Sequence, residues 1–577
     1  MVTTGETILA ALPLLLAGMM LVGLLWPATR AMPIAWLSAL VVGYVAWDMP
    51  TEWLAAGSIV GVMTAVEILW IVFGALLLLY TLMEAGAFDR INRGFAAVSD
   101  DRRVQIVLIG FFLATFIEGA AGFGTPAAVV APLLLGLGFP ALAAVIAAII
   151  GHIIAVTYGA VGTPIVVGIR DPLSAAGFGD VIQAGGFTVT EYSNQVAAWA
   201  ATYHALVGFV MPLFAVGMVV YFFGGEDRSL KPAWEVAPLC LFAGISFAVP
   251  YWLSAWFITA EFPSLIGSMV GGAIVLSVLR AGYLLPDTHW DFPPREEWPD
   301  HWVGTIEPGQ NGSAPDTEAV TDGGTASATE MSLLKAWSPY LLLVVLLVVT
   351  RAVAPVSSFI NSSWFVITWS DILGTSLGNS IAWMNVPGFW LIVSAVLAIP
   401  IFGMTAEEVT AAWTETAQKI VAPFIALIFV IAMVQVMINS GAHPGAPETG
   451  SMIVVLATVT ASFLGPAYPF VAALIGALGA AMAGSNTVSN ITFGGFQFEA
   501  AQQLGLPTQI IVGAQAVGGA IGNLVAVHNI VAAVATVGLV GSEGRVMRYN
   551  LIPLLYYSIA VGVLAMLFSY VLFPGLF

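Results

Sequence analysis

Glu118 stands inside a long apolar run and is followed at once by Gly119-Ala120-Ala121-Gly122-Phe123-Gly124-Thr125-Pro126. An ionisable group within a hydrocarbon-embedded segment is costly and as a rule has a task. A carboxyl is tolerated there when it can take up a proton, which makes Glu118 a candidate proton-coupling residue; a structural hydrogen bond to a neighbouring helix is the rival reading. The residues after it cannot hold a straight helix. Small side chains followed by Phe, Gly, Thr and Pro break it, and Pro126 can start the next one because its missing N–H is not needed there. A helix N-terminus carries partial positive charge and open N–H donors, which suits a carboxylate. Gly119, Gly122, Gly124 and Thr125 are therefore candidate substrate contacts, against the plainer reading of close helix packing through small residues.

A second polar cluster, Gly484-Ser485-Asn486-Thr487-Val488-Ser489-Asn490, follows an apolar run. Five hydroxyl or amide side chains in six residues need partners in such a setting. Ser485, Asn486 and Asn490 could bind carboxylate and hydroxyl oxygens; an ordinary turn outside the membrane is the alternative. His152 and His528, the latter beside Asn529, sit in apolar stretches and are either ligands or hydrogen-bonded packing residues. Thr163 repeats the first break, since Phe123-Gly124-Thr125-Pro126 recurs as Val161-Gly162-Thr163-Pro164. Glu67 is a second intramembrane carboxyl, for coupling or for helix contact. Arg170 and Asp171 read as a local ion pair at a membrane edge.

The elements that position these residues must be membrane-spanning helices. Of 577 residues, 59% are hydrophobic and only 8% charged, against roughly a quarter charged in soluble domains. A spanning backbone satisfies its own hydrogen bonds as helices or as a closed barrel. Long continuous apolar runs, such as Ile8 to Trp26, exclude the alternation of a barrel. The expectation is an all-α polytopic bundle with 12 to 14 spans and Gly/Pro-broken or re-entrant helices in two halves, in the cell membrane. Residues 1–282 form the first transmembrane half, 283–334 an acidic, flexible cytoplasmic linker, and 335–577 the second half. Basic residues in short loops place both termini outside. Between Tyr283 and Met331 there are ten acidic residues and one base, Arg295, within a net charge of −18, a balance that speaks to solubility in salt rather than to a ligand. A further echo pairs Leu137-Gly138-Phe139-Pro140 with Leu504-Gly505-Leu506-Pro507, each opening an Ala-rich helix.

Other classes are disfavoured. The chain has no His-Glu-x-x-His or Gly-x-Ser-x-Gly pattern and no Cys/His cluster for a metal, so neither cofactor nor metal is expected and no enzyme activity. Cys240 is the only cysteine and reads as a buried small residue. No basic residue precedes Arg30, so the first run reads as a retained helix rather than a leader. The expected partners are the bilayer and a small carboxylate with a coupling H+ or Na+, with no nucleic acid and with homo-oligomer formation left open. A membrane enzyme or a passive channel is the remote alternative.

The run from Phe116 to Pro126, with Leu134 to Phe139 and Tyr158 to Ile165, resembles the L-lactate permease family. So do Gly484 to Asn490, Ala500 to Gly505, Gly518-Gly519 and Val537 to Gly541, in order over most of the chain. The resemblance implies a secondary transporter importing L-lactate, and glycolate or related 2-hydroxy acids, with protons. Against that family's pattern the chain departs at Asn486, where an Asp stands, and at Asn523, where a Lys stands. It also has His152-Ile153-Ile154-Ala155 for Asn-Thr-Ala-Pro, and Ala526-Val527-His528-Asn529 for Ser-Pro-Gln-Ser. Those departures bear on substrate and coupling ion, and leave a Na+-coupled carrier of another organic anion as the alternative.

Overall fold

The computed structural model describes residues 2–24, 26–96, 98–122, 124–175, 178–225, 228–308 and 331–576. Among them, 13 helices are long and apolar enough to cross a membrane. The chain is an all-helical polytopic membrane protein, apart from one antiparallel pair of three-residue strands among the described residues, Ile367–Trp369 and Asn379–Ile381.

The helices used below are, in chain order, α1 (Thr4–Gly18), α2 (Ala28–Ala46), α3 (Thr51–Glu84), α4 (Arg102–Ala120), α5 (Thr125–Gly136), α6 (Ala141–Gly151), α7 (Gly159–Val166), α8 (Val189–Val207), α9 (Ala237–Phe257) and α10 (Pro263–Arg280). The second half supplies α11 (Leu333–Ala352), α12 (Pro387–Phe402), α13 (Ala406–Asn439), α14 (Met452–Leu464), α15 (Tyr468–Ala483), α16 (Asn486–Gln503), α17 (Thr508–Gly522), α18 (Val527–Thr536) and α19 (Glu543–Leu567).

Two helices of 34 residues, α3 and α13, lie along each other, with α12 on α3 and α2 on α13. At 1.5 Å per residue each is about 51 Å long, more than the roughly 30 Å hydrocarbon layer, so they cross it tilted or project beyond it. Without a hydrophobic drive between helices in lipid, close approach carries the packing. A Cβ at Gly61 would run into the backbone of Ala432, and one at Gly74 into that of Gly388. Helices from both halves of the sequence are thus interleaved.

The core is built from two similar units. In the first, α4 ends at a break, α5 leads away from it, and α6 is followed by the six-residue 3-10 segment Ile153–Tyr158 and then α7. In the second, α15 ends at a break, α16 leads away, and α17 is followed by the 3-10 segment Asn523–Val525 and then α18. Every residue of α6 and α17 is buried, which is why these helices read as apolar on all sides. The units interlock: α5 packs on α18, and α16 on α7. The two Gly-Thr-Pro strings are one local structure. Gly124 and Gly162 are left-handed, at φ +77° and +76°. The following threonine hydroxyls, of Thr125 and Thr163, fold back onto the carbonyls of Gly122 and Ala160 at 2.7 and 2.6 Å. Ala160 and Val161 are also left-handed, at φ +43° and +56°, a conformation costing about 1–3 kcal/mol each in non-glycine residues.

The linker differs from its expectation where it is described. Residues 283–308 are a packed strap, because aromatic side chains interrupt the acidic stretch. Trp302 is buried against Phe223, the half-buried Phe292 packs on Phe139, and the Thr305 N–H donates to the Gly538 carbonyl at 2.9 Å. The wholly buried Arg103 secures the strap. It donates to Asp101, Glu235 and the Pro232 and Thr288 carbonyls, and Asp101 accepts from the Trp290 N–H. The flexible reading otherwise falls on residues 309–330, which lie outside the described residues.

Candidate functional site

The two breaks meet. A small cavity is lined by Glu118, Gly122, Gly124 and His152 on one side and Gly484, Ser485, Asn486 and Thr487 on the other. Val156, Gly159, Pro164, Asn523 and Asn529 complete the wall. About 20 Å³ of it is open to the centre of a water, room for one or two waters and less than a three-carbon acid needs.

Each break supplies the start of a helix. Gly124 is the N-cap of α5 and no side chain caps it. Ser485 caps α16, accepting weakly from the Val488 N–H at 3.4 Å and leaving the earlier donors of that turn without a side-chain partner. Two such ends, each equivalent to roughly half a positive charge, border the same cavity. Glu118 is 3% exposed, and its carboxyl makes no hydrogen bond to any described residue. Its carboxyl rests against Gly159, where any Cβ would strike it.

The amides around the cavity are under-satisfied. Asn486 is 2% exposed, and neither end of its amide has a partner among the described residues. Asn490 donates to the Pro164 carbonyl at 2.9 Å and Asn529 to Oδ1 of the Asn523 side chain at 2.8 Å, yet the Oδ1 of each is unpaired among the described residues. Leaving a buried polar group unpaired costs about 1–3 kcal/mol, and three of these atoms, on Asn486 and Asn529, belong to residues of the wall, where a guest could satisfy them.

The remaining sequence candidates are distributed as follows. His152 is on the wall, its Nδ1 at 2.7 Å from the Ala148 carbonyl. Gly119, Thr125, Thr163, Asn490 and His528 are not on the wall. Gly119 lets α4 approach Ser264 and Leu265. Thr125 spends both its N–H and its hydroxyl on the Gly122 carbonyl, so it offers no free donor here. Thr163 does the same with its hydroxyl on Ala160. His528 lays its ring over Gly484, a residue of the wall, without lining the cavity itself. Phe123 lies outside the described residues. Arg170 and Asp171 form the expected ion pair at 3.0 Å, with Glu67 in electrostatic range of both and away from the cavity. Cys240 is buried and free. Val156 and Gly159 were not singled out by the sequence, because nothing in it announces which face of a 3-10 segment turns inward. Asn529 could have been found from its place beside His528, as a second polar side chain in an apolar stretch.

Comparison with known proteins gives a consistent picture. The sequence model of a family described as L-lactate permease matches residues 6–572. The glycolate permease GlcA of Escherichia coli K12 is 27% identical over 93% of this chain and 91% of its own. An L-lactate permease of the same organism is 26% identical over 92% and 90%, and one of Bacillus subtilis 26% over 92% and 90%. Among solved structures, the YdaH transporter of Alcanivorax borkumensis covers 71% of this chain and 85% of its own at 14% identity and TM-score 0.31. MtrF of Neisseria gonorrhoeae covers 87% and 81% at 14% identity and TM-score 0.37. Likenesses that distant carry no argument about mechanism.

Proposed function

The chain belongs to the L-lactate permease family, and from that premise we propose that it imports L-lactate, and glycolate or a related 2-hydroxy monocarboxylate, by proton symport. It is a transporter rather than an enzyme. The observation that carries the proposal is Glu118, a buried carboxyl without a hydrogen-bond partner, on the wall of the cavity where the α5 and α16 helix starts meet. The substrate carboxylate takes the helix-start N–H groups and the Asn486 amide N–H. Its 2-hydroxyl donates to one of the unpaired amide oxygens. Glu118 carries the proton, since an isolated buried charge costs far more than the neutral acid, and a neutral acid beside a bound anion crosses with it as one unit. The breaks supply their dipoles without a full cation on the wall: among the described residues no Lys or Arg lines it.

A Na+-coupled reading draws on a different observation. The unpaired oxygens of Asn486, Asn490 and Asn529 are the kind of neutral oxygen donors that hold a coupling ion at a broken helix. The basic loops place both termini outside and the strap with the loop after it in the cytoplasm. Proteoliposomes loaded under an imposed pH gradient or an imposed Na+ gradient, with labelled L-lactate outside, decide the ion. Concentrative uptake driven by the pH gradient and collapsed by a protonophore is the expected result. Uptake driven only by Na+ replaces the proton with the second reading.

A further inference from the structure

The 3-10 segment Ile153–Tyr158 is long for its kind, since runs beyond three or four residues are uncommon. Its geometry decides the cavity wall. Gly159, the residue that ends the segment, donates its N–H to the Val156 carbonyl three residues back, and both residues line the cavity. Rewound as an α-helix, at 100° per residue, they would part by about 60°, and Gly159 would leave the Glu118 carboxyl.

A break of this sort frees backbone carbonyls, and two neighbouring helices each answer one. Tyr251 of α9 donates to the Ile154 carbonyl at 2.9 Å, and Ser264 of α10 to that of Ala155 at 2.7 Å. Tyr158 donates to the Ala197 carbonyl of α8. The remaining tie is a side-chain relay. Thr157 Oγ1 donates to the Ala516 carbonyl of α17 at 3.3 Å and lies 2.8 Å from Nε2 of His204. Nδ1 of His204 lies 2.5 Å from the hydroxyl of Tyr557 on α19. With the Thr157 proton spent on Ala516, Nε2 must donate and Nδ1 must accept, so one directed chain runs from Tyr557 through His204 and Thr157 to Ala516. His204 is wholly buried. The chain ends on a backbone carbonyl and reaches no group on the cavity wall, so it is not a proton path.

We propose that His204 is a positioning residue, holding Thr157 so that the 3-10 wall keeps the register that presents Val156 and Gly159 to the substrate. The inference rests on the site assigned above for its link to transport, while its structural half stands apart from any substrate. Amide hydrogen exchange of the full-length protein in nanodiscs, without substrate, tests that half. His204→Phe and Thr157→Val are expected to raise exchange across residues 153–159 by about tenfold, as one buried hydrogen bond is worth, with the other spans unchanged. Thr157→Ser, which keeps the hydroxyl, restores wild-type protection. Thr157→Val carries the test if His204→Phe does not fold. In proteoliposomes the same two variants raise the KM for L-lactate exchange about tenfold at a maximal rate within about twofold of wild type. Unchanged exchange at 153–159, or an even rise through all spans, overturns the proposal, as does a lost maximal rate at unchanged KM. Should the wild type move no monocarboxylate, the transport reading fails, and the hydrogen-exchange result alone decides His204.

Discussion

Gly159→Ala adds one methyl group aimed at the carboxyl of Glu118 and changes nothing else. The backbone there is at φ −62° and ψ 154°, where alanine is at home, so no conformational strain enters. The built Cβ lies 3.2 Å from the Glu118 Cδ and closer still to Oε1, well inside ordinary contact. Overpacking of this size costs about 1–3 kcal/mol. Against that, replacing a glycine at a compatible position stabilises by about 0.4–1 kcal/mol through the unfolded chain, so the net loss of stability is about 0–2.5 kcal/mol and the protein folds. The carboxyl, however, must retreat by about an ångström from its place on the wall, a displacement that costs up to about a hundredfold in an aligned site. Proton-driven accumulation of L-lactate in proteoliposomes should therefore fall by tenfold or more, while thermal unfolding in detergent shifts little. Gly122→Ala and Gly124→Ala are poorer probes, because both residues are left-handed, at φ +61° and +77°, and any side chain there strains the backbone whatever the substrate does. Wild-type accumulation and wild-type KM in a folded Gly159→Ala protein would refute the assignment of this carboxyl to the transport cycle.

Glu118→Gln is expected to abolish gradient-driven accumulation and to spare lactate–lactate exchange, which needs no net proton movement; accumulation at the parent level would make Glu118 structural. Asn486→Leu removes an amide with no partner, so the unfolding temperature should hold or rise while the KM for lactate rises about 5- to 150-fold, as a lost 1–3 kcal/mol of hydrogen bonding requires; an unchanged KM removes Asn486 from the site. Arg103→Met leaves the buried Asp101 uncompensated and should cost about 3–5 kcal/mol in detergent unfolding, whereas an equally stable variant would show that the strap is not fastened there. Deletion of 309–330 should leave uptake unchanged, and an impermeant thiol reagent should not label a cysteine introduced at Gly323 in intact cells; labelling would reverse the proposed orientation.

Much of this arrangement was legible in the residues. Apolar length and scarcity of charge identify the helices, and the Gly-Thr-Pro strings identify two turns whose geometry proves the same. Glu118 and Asn486 were found because a polar group in an apolar run has few reasons to be there. What the sequence hid is of another kind. Whether Gly119 or Gly159 faces the cavity depends on which helix packs on which side, and both glycines look alike in a string. Thr125 reads as a free donor until its donors are seen closed onto Gly122. His204 sits in a helix whose neighbours in sequence give no sign that Thr157 and Tyr557 will meet it. The strap 283–308 reads as a linker because its acids outnumber its aromatics, yet the aromatics decide its packing.

The central claim is that the substrate sits between the two breaks, and a density map of the protein in nanodiscs with L-lactate at saturating concentration tests it most directly. The account predicts a cavity widened beyond its present 20 Å³, with density for a three-carbon acid bounded by Gly122, Gly124 and Glu118 on one side and Ser485 and Asn486 on the other. Lactate density elsewhere in the bundle, with Glu118 and Asn486 still facing each other across an unaltered cavity, would contradict it.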